Sequence, residues 1–222
     1  MAMTSDRERR AAVHAALGDP HRLAIVDDLI VSDRSPRELS ERLDLASNLL
    51  AHHLDVLHRA GIVTRTVSAG DRRRRYVQLD RTAPVINTLV AEVPSRPVMF
   101  LCTHNSARSQ LAAALWRART GLPATSAGTD PAPRVHRRAV GAATRIGIDL
   151  STAEPRPIDR IPDDAHVITV CDNVHEELTP TPEWWHWSIA DPVPSDDDAA
   201  FEAVIVDITS RINRLTITGE SQ

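Results

Sequence analysis

The stretch Cys102-Thr103-His104-Asn105-Ser106-Ala107-Arg108-Ser109 decides the fold of the larger part of this chain of 222 residues. It follows the apolar run 98–101 and leads into 110–116, a segment rich in strong helix formers. The order of elements is therefore strand, tight loop and helix. Such a loop aims several backbone N–H groups at one point, where the helix N-terminus adds about half a positive charge. The sequence thus predicts an oxyanion-binding site.

Two side chains give this loop its chemistry. Cys102 is the predicted nucleophile, and Arg108 can donate two hydrogen bonds to a phosphate-like group. The positive field is expected to lower the pKa of Cys102 into a range of roughly 3.5–7.5, leaving a thiolate at neutral pH. Asn105 is expected to hold a backbone conformation that most residues avoid. The predicted oxyanion-binding residues are Thr103, His104, Asn105, Ser106, Ala107, Arg108 and Ser109.

Strands and helices alternate after the loop. Strands are predicted at 122–129 and 165–171, and helices at 134–146, 174–178 and 198–215. The alternation predicts an α/β domain over residues 97–222, with a central parallel sheet flanked by helices and a ligand site at the C-terminal strand ends.

The first 93 residues have a different, mostly helical pattern. Helices are predicted within 8–31, broken at 18–20, and then from Ser35-Pro36 and up to Gly61. Two strand-like runs, 62–67 and 72–79, form a hairpin, so residues 1–93 are predicted to be a winged helix-turn-helix domain. A further helix is expected over 82–92, and the prolines in 93–97 indicate a linker.

Composition and charge exclude several classes of protein. No apolar run approaches the ~20 residues of a membrane-spanning helix, and residues 1–10 lack the apolar stretch of a signal peptide. We therefore expect a cytoplasmic protein without membrane contact. The 2 cysteines form no disulfide framework in that compartment and are expected to be catalytic or buried.

The loop resembles the phosphate loop of the low-molecular-weight protein tyrosine phosphatase superfamily. Gln110 is typical of the arsenate reductase branch, since the phosphatase branch usually has Pro there. The resemblance extends over segments 126–129, 147–151, 170–172 and 186–192. It implies that the Cys102 thiolate attacks the central atom of a bound oxyanion and that Asp191 is the general acid.

The resemblance leaves the substrate and the role of Cys171 open. Tyrosine phosphatases of this type usually have aromatic side chains after the general-acid Asp-Pro, whereas this chain has Val-Pro-Ser at 193–195, which favours a small inorganic oxyanion. Cys171 matches a redox cysteine of thioredoxin-linked arsenate reductases, but Leu178 stands where their next cysteine follows. Cys171 is therefore the partner of Cys102 in a disulfide, or a small thiol takes the arsenic directly, or Cys171 is only a buried strand residue.

Segments 18–22, 38–40, 53–54 and 57–63 resemble the arsenic-repressor (ArsR) type of winged-helix transcriptional repressor. The resemblance implies a homodimer, formed through the first and last helices of the domain, on a double-stranded DNA operator. The implied DNA-contacting residues are Ser47, Asn48, His52 and His53 of the recognition helix and Arg72, Arg73, Arg74 and Arg75 of the wing.

Many of these repressors sense arsenic or metals through cysteines, and this domain has none. His21, His52, His53 and His58 remain as possible ligands, but the paired histidines of the recognition helix are expected to face DNA or to be packed, so we predict no metal site.

Together these features predict a DNA-binding transcriptional regulator of arsenic resistance fused to a cysteine-dependent arsenate reductase. We expect no bound cofactor, because an external thiol reductant, thioredoxin or a low-molecular-weight thiol, supplies the electrons. Two alternatives stay open. The second domain is instead a tyrosine or small-molecule phosphatase, or it is a non-catalytic sensor of an oxyanion such as arsenate or phosphate.

Overall fold

A computed structural model of the chain describes residues 6–178 and 180–218. The chain forms two compact units, of which the first contains Met1–Ser68 and Arg72–Ala91 and the second contains Glu92–Gln222. Each unit has its own cluster of buried apolar side chains. Across the described ranges, the helices all lack the combination of length and apolarity that crossing a bilayer requires.

Four helices and a hairpin make up the described part of the first unit. The helices are α1 (Asp6–Leu17), α2 (Pro20–Val31), α3 (Pro36–Arg42) and α4 (Ser47–Arg59). Strands β1 (Val63–Val67) and β2 (Arg75–Leu79) pair antiparallel. The predicted break between the first two helices is confirmed, as is the hairpin.

Local capping explains where these helices begin. Asp19 caps α2 by accepting a hydrogen bond from the backbone N–H of Arg22 at 3.0 Å. The predicted capping box of α3 is also confirmed, because Ser35 and Glu38 satisfy each other's backbone N–H groups. The inner face of α4 carries Leu50, Leu54 and Leu57, each at most 2% exposed. These side chains pack in the core of the first unit and hold α4 in place.

The second unit is an α/β structure. Its strands are β3 (Ala91–Pro94), β4 (Val98–Cys102), β5 (Ala124–Gly128), β6 (His166–Thr169), β7 (Trp185–His186) and β8 (Leu215–Thr218). Its helices are α5 (Arg108–Thr120), α6 (Arg137–Arg145), α7 (Asp172–Glu177) and α8 (Asp198–Ile212). Four strands form a parallel sheet in the order β5-β4-β6-β7, which confirms the predicted parallel sheet with helices.

The position of β4 explains its composition. It pairs with β5 on one side and β6 on the other, and all five of its residues are buried, so its sequence is continuously apolar instead of alternating. The ring of Phe100 lies 5.9 Å from that of Trp116 and 5.7 Å from that of Trp187. The anion loop therefore starts from the most rigidly packed strand of the sheet.

The prediction of a helix over residues 82–92 is wrong. The chain there forms a short 3-10 helix, Pro84–Thr88, followed by β3, which pairs with β8. The segment is rich in β-branched residues, which disfavour an α-helix. Its strand end also supplies backbone partners for β8, which the sequence pattern did not reveal. Residues 93 and 94, expected in a linker, belong to this strand.

Gly61 offers a test of the turn that ends α4. Its φ is +70°, and a Cβ there would meet no atom within 4 Å, so Gly61→Ala adds backbone strain alone. We expect this change to lower the free energy of unfolding by about 1–2 kcal/mol, measured by urea titration with hydrogen exchange of the α4 amides. The matched control is Gly18→Ala, whose Cβ would make ordinary contacts at 3.5 Å and 3.6 Å. Equal losses in both variants would contradict this account.

Candidate active site

Cys102 ends β4 and lies at the bottom of the anion loop, only 3% exposed. Its Sγ accepts a hydrogen bond from the backbone N–H of Asn105 at 3.2 Å and lies 2.9 Å from Oγ of Ser109. The Cys102 sulfur therefore has hydrogen-bond donors from both the anion loop and the first turn of α5.

The outer contacts of the loop determine where its N–H groups point. The carbonyl oxygens of Thr103, His104 and Ser106 accept hydrogen bonds of 2.8–3.0 Å from backbone N–H groups in the segment 130–136. In a trans peptide the N–H of the next residue points away from the preceding carbonyl, and the described residues contain no cis peptide bond. The N–H groups that follow those three carbonyls therefore turn inward, as an oxyanion site requires.

Asn105 fixes the shape of the loop. Its φ is +45°, which confirms the predicted unusual backbone conformation. Its Oδ1 accepts hydrogen bonds from Nε2 of Gln110 at 3.0 Å and from the backbone N–H of Arg156 at 2.9 Å. Gln110 also donates to the carbonyl of Glu154 at 3.0 Å. Gln110, which the sequence identified only by its resemblance to one branch of a family, is thus a physical support of the loop.

Asn105 also determines the orientation of the Ser109 hydroxyl. Nδ2 of Asn105 donates to Oγ of Ser109 at 2.7 Å. The hydroxyl oxygen is therefore an acceptor on that side, and its own hydrogen is left for the Cys102 sulfur at 2.9 Å. This relay delivers a hydrogen bond that favours the thiolate.

Burial nevertheless raises the pKa of the Cys102 thiol above its ordinary value, and the nearby Cys171 raises that pKa further. The hydrogen bonds from Ser109 and the charge of Arg108 oppose this shift. The predicted lowering of the Cys102 pKa is therefore wrong. The sequence revealed the positive groups of the loop, but it did not reveal how completely the sulfur is removed from water.

Gly128 allows β5 to approach the loop closely. A Cβ at this position would clash with the backbone carbonyl oxygen of Thr103 and would also crowd the backbone N of Asn105 at 2.9 Å. A glycine is therefore required at this strand end.

Arg108 is a buried residue, only 7% exposed. Its guanidinium group has two hydrogen-bond acceptors within the protein. It donates to the carbonyl of Ile189 at 3.0 Å and to Oδ2 of Asp191 at 3.0 Å. The structure thus brings the predicted general acid directly against the predicted oxyanion-binding arginine. Oδ1 of Asp191 accepts from the backbone N–H of Val193 at 3.1 Å, which fixes the carboxylate at the rim.

Cys171 lies just beyond β6, beside the end of β4. It is 1% exposed, and its Sγ lies 3.6 Å from Oγ1 of Thr103, the residue after Cys102. Both cysteines are free thiols. The four residues predicted as catalytic, Cys102, Arg108, Asp191 and Cys171, therefore lie at one end of the sheet.

A buried polar network behind Cys171 was not predicted. Oγ1 of Thr169 lies 3.0 Å from Nδ1 of His175 and 2.9 Å from Nδ1 of His186. Nε2 of His186 lies 3.0 Å from Oδ1 of Asp172, and this contact holds the pKa of the Asp172 carboxyl below its usual value despite its burial. The sequence held one signal for this network. The pairs Cys171-Asp172 and His186-Trp187 lie at the ends of two neighbouring strands, β6 and β7.

A cleft of about 750 Å³ opens beside the loop. Its lining includes His104, Ser106, Arg134 and Asp191, and within the described residues no Phe, Tyr or Trp side chain contributes to it. Trp187, which precedes Asp191 by four residues, is 1% exposed and packs in the core. The cleft therefore offers charged and imidazole groups but no wall for a phenol ring.

The predicted DNA-contacting residues of the first unit divide into two groups. Ser47, Asn48 and His52 are exposed on α4, and Arg72–Arg75 are exposed in and beside the turn between β1 and β2. His53 is only 5% exposed and faces the interior near Asp19, so its placement on a DNA-facing surface is wrong. Its position in the helix, next to Leu54, puts it on the inner face.

Comparison with known proteins identifies the class of each unit. Residues 97–221 match the family described as low molecular weight phosphotyrosine protein phosphatase, and residues 19–65 match the bacterial regulatory protein, arsR family. Since the first match covers more than half of the chain, the chain belongs to the low-molecular-weight phosphotyrosine protein phosphatase family.

Two relatives of the second unit are arsenate reductases. The chain is similar to an arsenate reductase of Bacillus licheniformis, with 34% identity over 139 residues that cover 56% of this chain and 98% of the relative. It is also similar to arsenate reductase 1 of Bacillus cereus, with 33% identity over 132 residues, covering 56% and 97%. A crystal structure of an arsenate reductase from Archaeoglobus fulgidus matches with a TM-score of 0.44 and 28% identity, covering 52% and 95%.

The Ser109 relay can be tested through the reactivity of Cys102. In a Cys171→Ser background, we expect Ser109→Ala to raise the pKa of Cys102 further, because it removes a hydrogen bond that favours the thiolate. The pH profile of alkylation by iodoacetamide, followed by mass spectrometry, should then move to higher pH. Ser106→Ala removes a loop hydroxyl without a contact to the sulfur and serves as the control. An unmoved profile in Ser109→Ala would refute the relay.

Proposed function

We propose that the second unit is a thiol-dependent arsenate reductase and that the first unit is a DNA-binding regulator. The observation that carries the enzymatic part is the pair of buried free thiols, Cys102 and Cys171, at neighbouring strand ends beside an anion loop. Phosphate ester hydrolysis needs only the first thiol, whereas reduction of a bound oxyanion needs a second source of two electrons. The cleft without a phenol-stacking wall also supports a small inorganic substrate.

The first step is attack of the Cys102 sulfur on arsenic. Arsenate is held by the inward N–H groups of the anion loop and by Arg108, which exchanges its contacts with Ile189 and Asp191 for the substrate. The raised pKa of Cys102 means that the thiol transfers its proton to the doubly charged oxyanion as it binds. Thiolate plus monoanion have the same total charge as thiol plus dianion, so the transfer adds no charge to the buried loop.

Asp191 completes this step. Its carboxylate lies 3.0 Å from Arg108, and its side chain is 37% exposed, so it can take up a proton from solvent. It then donates that proton to the oxygen that leaves arsenic as water. The product is a covalent adduct in which Cys102 sulfur is bonded to As(V).

Cys171 supplies the second thiol. Its thiol gives its proton to an oxygen of the arsenic group as its sulfur attacks the Cys102 sulfur of the adduct, the S–As bond breaks, and the electron pair of that bond stays on arsenic. Arsenic is thereby reduced from As(V) to As(III), while the two thiols become a Cys102–Cys171 disulfide. We propose that an external thiol reductant of the thioredoxin or low-molecular-weight thiol kind reopens the disulfide, because Leu178 provides no third thiol.

Paired assays of Cys102→Ser and Cys171→Ser test this mechanism. Arsenate reduction, coupled to NADPH through thioredoxin or a small-thiol system, should disappear in Cys102→Ser. It should also disappear in Cys171→Ser with thioredoxin, because the disulfide cannot form. Any hydrolysis of p-nitrophenyl phosphate should be lost in Cys102→Ser and kept in Cys171→Ser.

The same assays identify the competing function. If the unaltered protein hydrolyses the aryl phosphate but shows no arsenate-dependent NADPH oxidation with either reductant, the second unit is a phosphatase and the proposed reduction is refuted.

In the first unit, we propose that α4 is the recognition helix and that the β1–β2 hairpin is the wing of a winged helix-turn-helix. Ser47 and Asn48 begin α4 and are exposed, so they can reach base edges in a major groove. The exposed Arg72–Arg75 can contact phosphates on either side. A homodimer on a palindromic operator would place two such helices one helical turn apart.

The wing can be tested through the salt dependence of binding. Full-length protein is used to select sites from a random double-stranded DNA library, and affinity for a selected site is measured by fluorescence anisotropy. Replacing Arg72–Arg75 by Ala should weaken binding and reduce the slope of log K against log salt by up to about four, at roughly 0.9 per lost phosphate contact. Arg160→Ala, an exposed arginine of the second unit, is the control. An unchanged slope in the quadruple variant would exclude the wing from the interface.

A further inference from the structure

We propose that Asp19, His21 and His53 in the first unit form a binding site for a divalent transition-metal ion of the Zn²⁺, Co²⁺ and Ni²⁺ class. Asp19 and His21 lie two residues apart at the start of α2, and His53 lies in α4. The structure places one ligand atom of each within 4.8 Å of the others. Metal binding is distinct from the proposed arsenate chemistry and does not depend on it.

The distances suit a small metal ion. Oδ1 of Asp19 lies 3.8 Å from Nδ1 of His21 and 3.8 Å from Nδ1 of His53. Ligand atoms about 2.0–2.1 Å from a tetrahedral metal are roughly 3.4 Å from each other. Each of these two oxygen–nitrogen distances must therefore shorten by a few tenths of an ångström around an ion.

His53 provides an independent indication of a ligand. It is only 5% exposed, and neither of its ring nitrogens has a hydrogen-bond partner among the residues that the structure describes. Buried polar atoms without partners are rare and costly. A metal ion bound at Nδ1 would give one of these nitrogens a strong partner. The rings of His21 and His53 are stacked, with centroids 5.3 Å apart and an interplanar angle of 24°. The exposed His21 side chain must therefore rotate to bring its Nδ1 to an ion bound at His53.

Arg22 is the nearest competing cation, and its hydrogen bonds direct it elsewhere. Its Nε and one terminal nitrogen donate to the carbonyls of Ala16 and Ala15. Its other terminal nitrogen lies 3.7 Å from Oδ2 of Asp19, whereas the two histidines lie near Oδ1. The Arg22 side chain therefore lies at Oδ2, whereas Oδ1 faces the histidines and also accepts the N-cap hydrogen bond from the Arg22 backbone N–H, which leaves one of its lone pairs for an ion.

The donor set determines the class of ion. Two imidazole nitrogens and one carboxylate oxygen suit Zn²⁺, Co²⁺ and Ni²⁺, whereas Mg²⁺ and Ca²⁺ prefer oxygen ligands throughout. Three protein ligands leave a fourth position, and His21 lies at the exposed side of the cluster, where water or a further ligand can enter.

The ligands connect two helices of the regulator. Asp19 and His21 lie at the start of α2, and His53 lies on the inner face of α4. A bound ion would therefore tie the proposed recognition helix to the start of α2. Only this regulatory consequence rests on the proposed DNA-binding function.

Co²⁺ titration of the full-length chain tests the site, since the visible ligand-field bands of Co²⁺ report tetrahedral coordination. The Cys102→Ser/Cys171→Ser chain is used so that no thiol competes. We expect one Co²⁺ per chain, displaced by Zn²⁺, with bands of nitrogen and oxygen ligation. Asp19→Asn and His21→Ala should each weaken binding at least about tenfold, the lower limit seen when even an outer-sphere partner is lost.

Both variants are expected to keep the fold of the first unit, so a loss of Co²⁺ affinity reports the loss of a ligand. Asn is as good an N-cap as Asp, so Asp19→Asn keeps the start of α2, and His21 is exposed. His14→Ala removes an exposed histidine of the same unit and should leave the Co²⁺ affinity unchanged. Failure to bind one Co²⁺ per chain, or equal affinities in Asp19→Asn, His21→Ala and His14→Ala, would overturn the proposal. Arsenate reduction by the unaltered protein is measured separately and has no bearing on this outcome.

Discussion

The left-handed backbone of Asn105 and its side-chain hydrogen bonds are the constraint on which the active site depends. With φ at +45°, the chain turns sharply enough for the N–H of Asn105 to point at the Cys102 sulfur. The same side chain orients the Ser109 hydroxyl and is itself held by Gln110. One residue therefore couples the backbone path of the loop to the hydrogen bonding of the nucleophile. Loss of the Asn105 contact with Ser109 or with Gln110 would therefore loosen both the loop backbone and the hydrogen bonding of Cys102.

The parallel sheet supplies the second constraint, because it brings the ends of β4 and β6 side by side. Cys102 and Cys171 are separated by 68 intervening residues in the chain, yet Cys171 lies close enough to raise the pKa of Cys102. Both thiols are buried, and the polar network of Thr169, His186 and Asp172 lies immediately behind the second one. The fold thus places a second thiol beside a protected nucleophile without any local sequence motif that joins them.

Sequence patterns located most of this arrangement because the loop, the capping residues and the strand ends are encoded locally. Asn105 and the capping box of Ser35 with Glu38 are of this kind, since short-range backbone demands select those residues. The misses depend on long-range packing. His53 was assigned to the DNA-facing side although it is buried beside Asp19, and the pKa of Cys102 depends on burial that no single segment reveals. Residues 91 and 92, expected in a helix, instead begin β3, because β8, more than 100 residues later, offers a partner.

The chemistry of the two units constrains how one protein could both act on arsenic and regulate transcription. Reduction would produce As(III), an ion that prefers thiolate ligands. Both cysteines of the chain lie in the second unit, so the first unit has no thiolate donor. The first unit therefore has no ligand set suited to As(III). The cluster of Asp19, His21 and His53 suits a borderline metal ion instead, so an inorganic signal read by this unit would differ from the product of the enzyme to which it is fused.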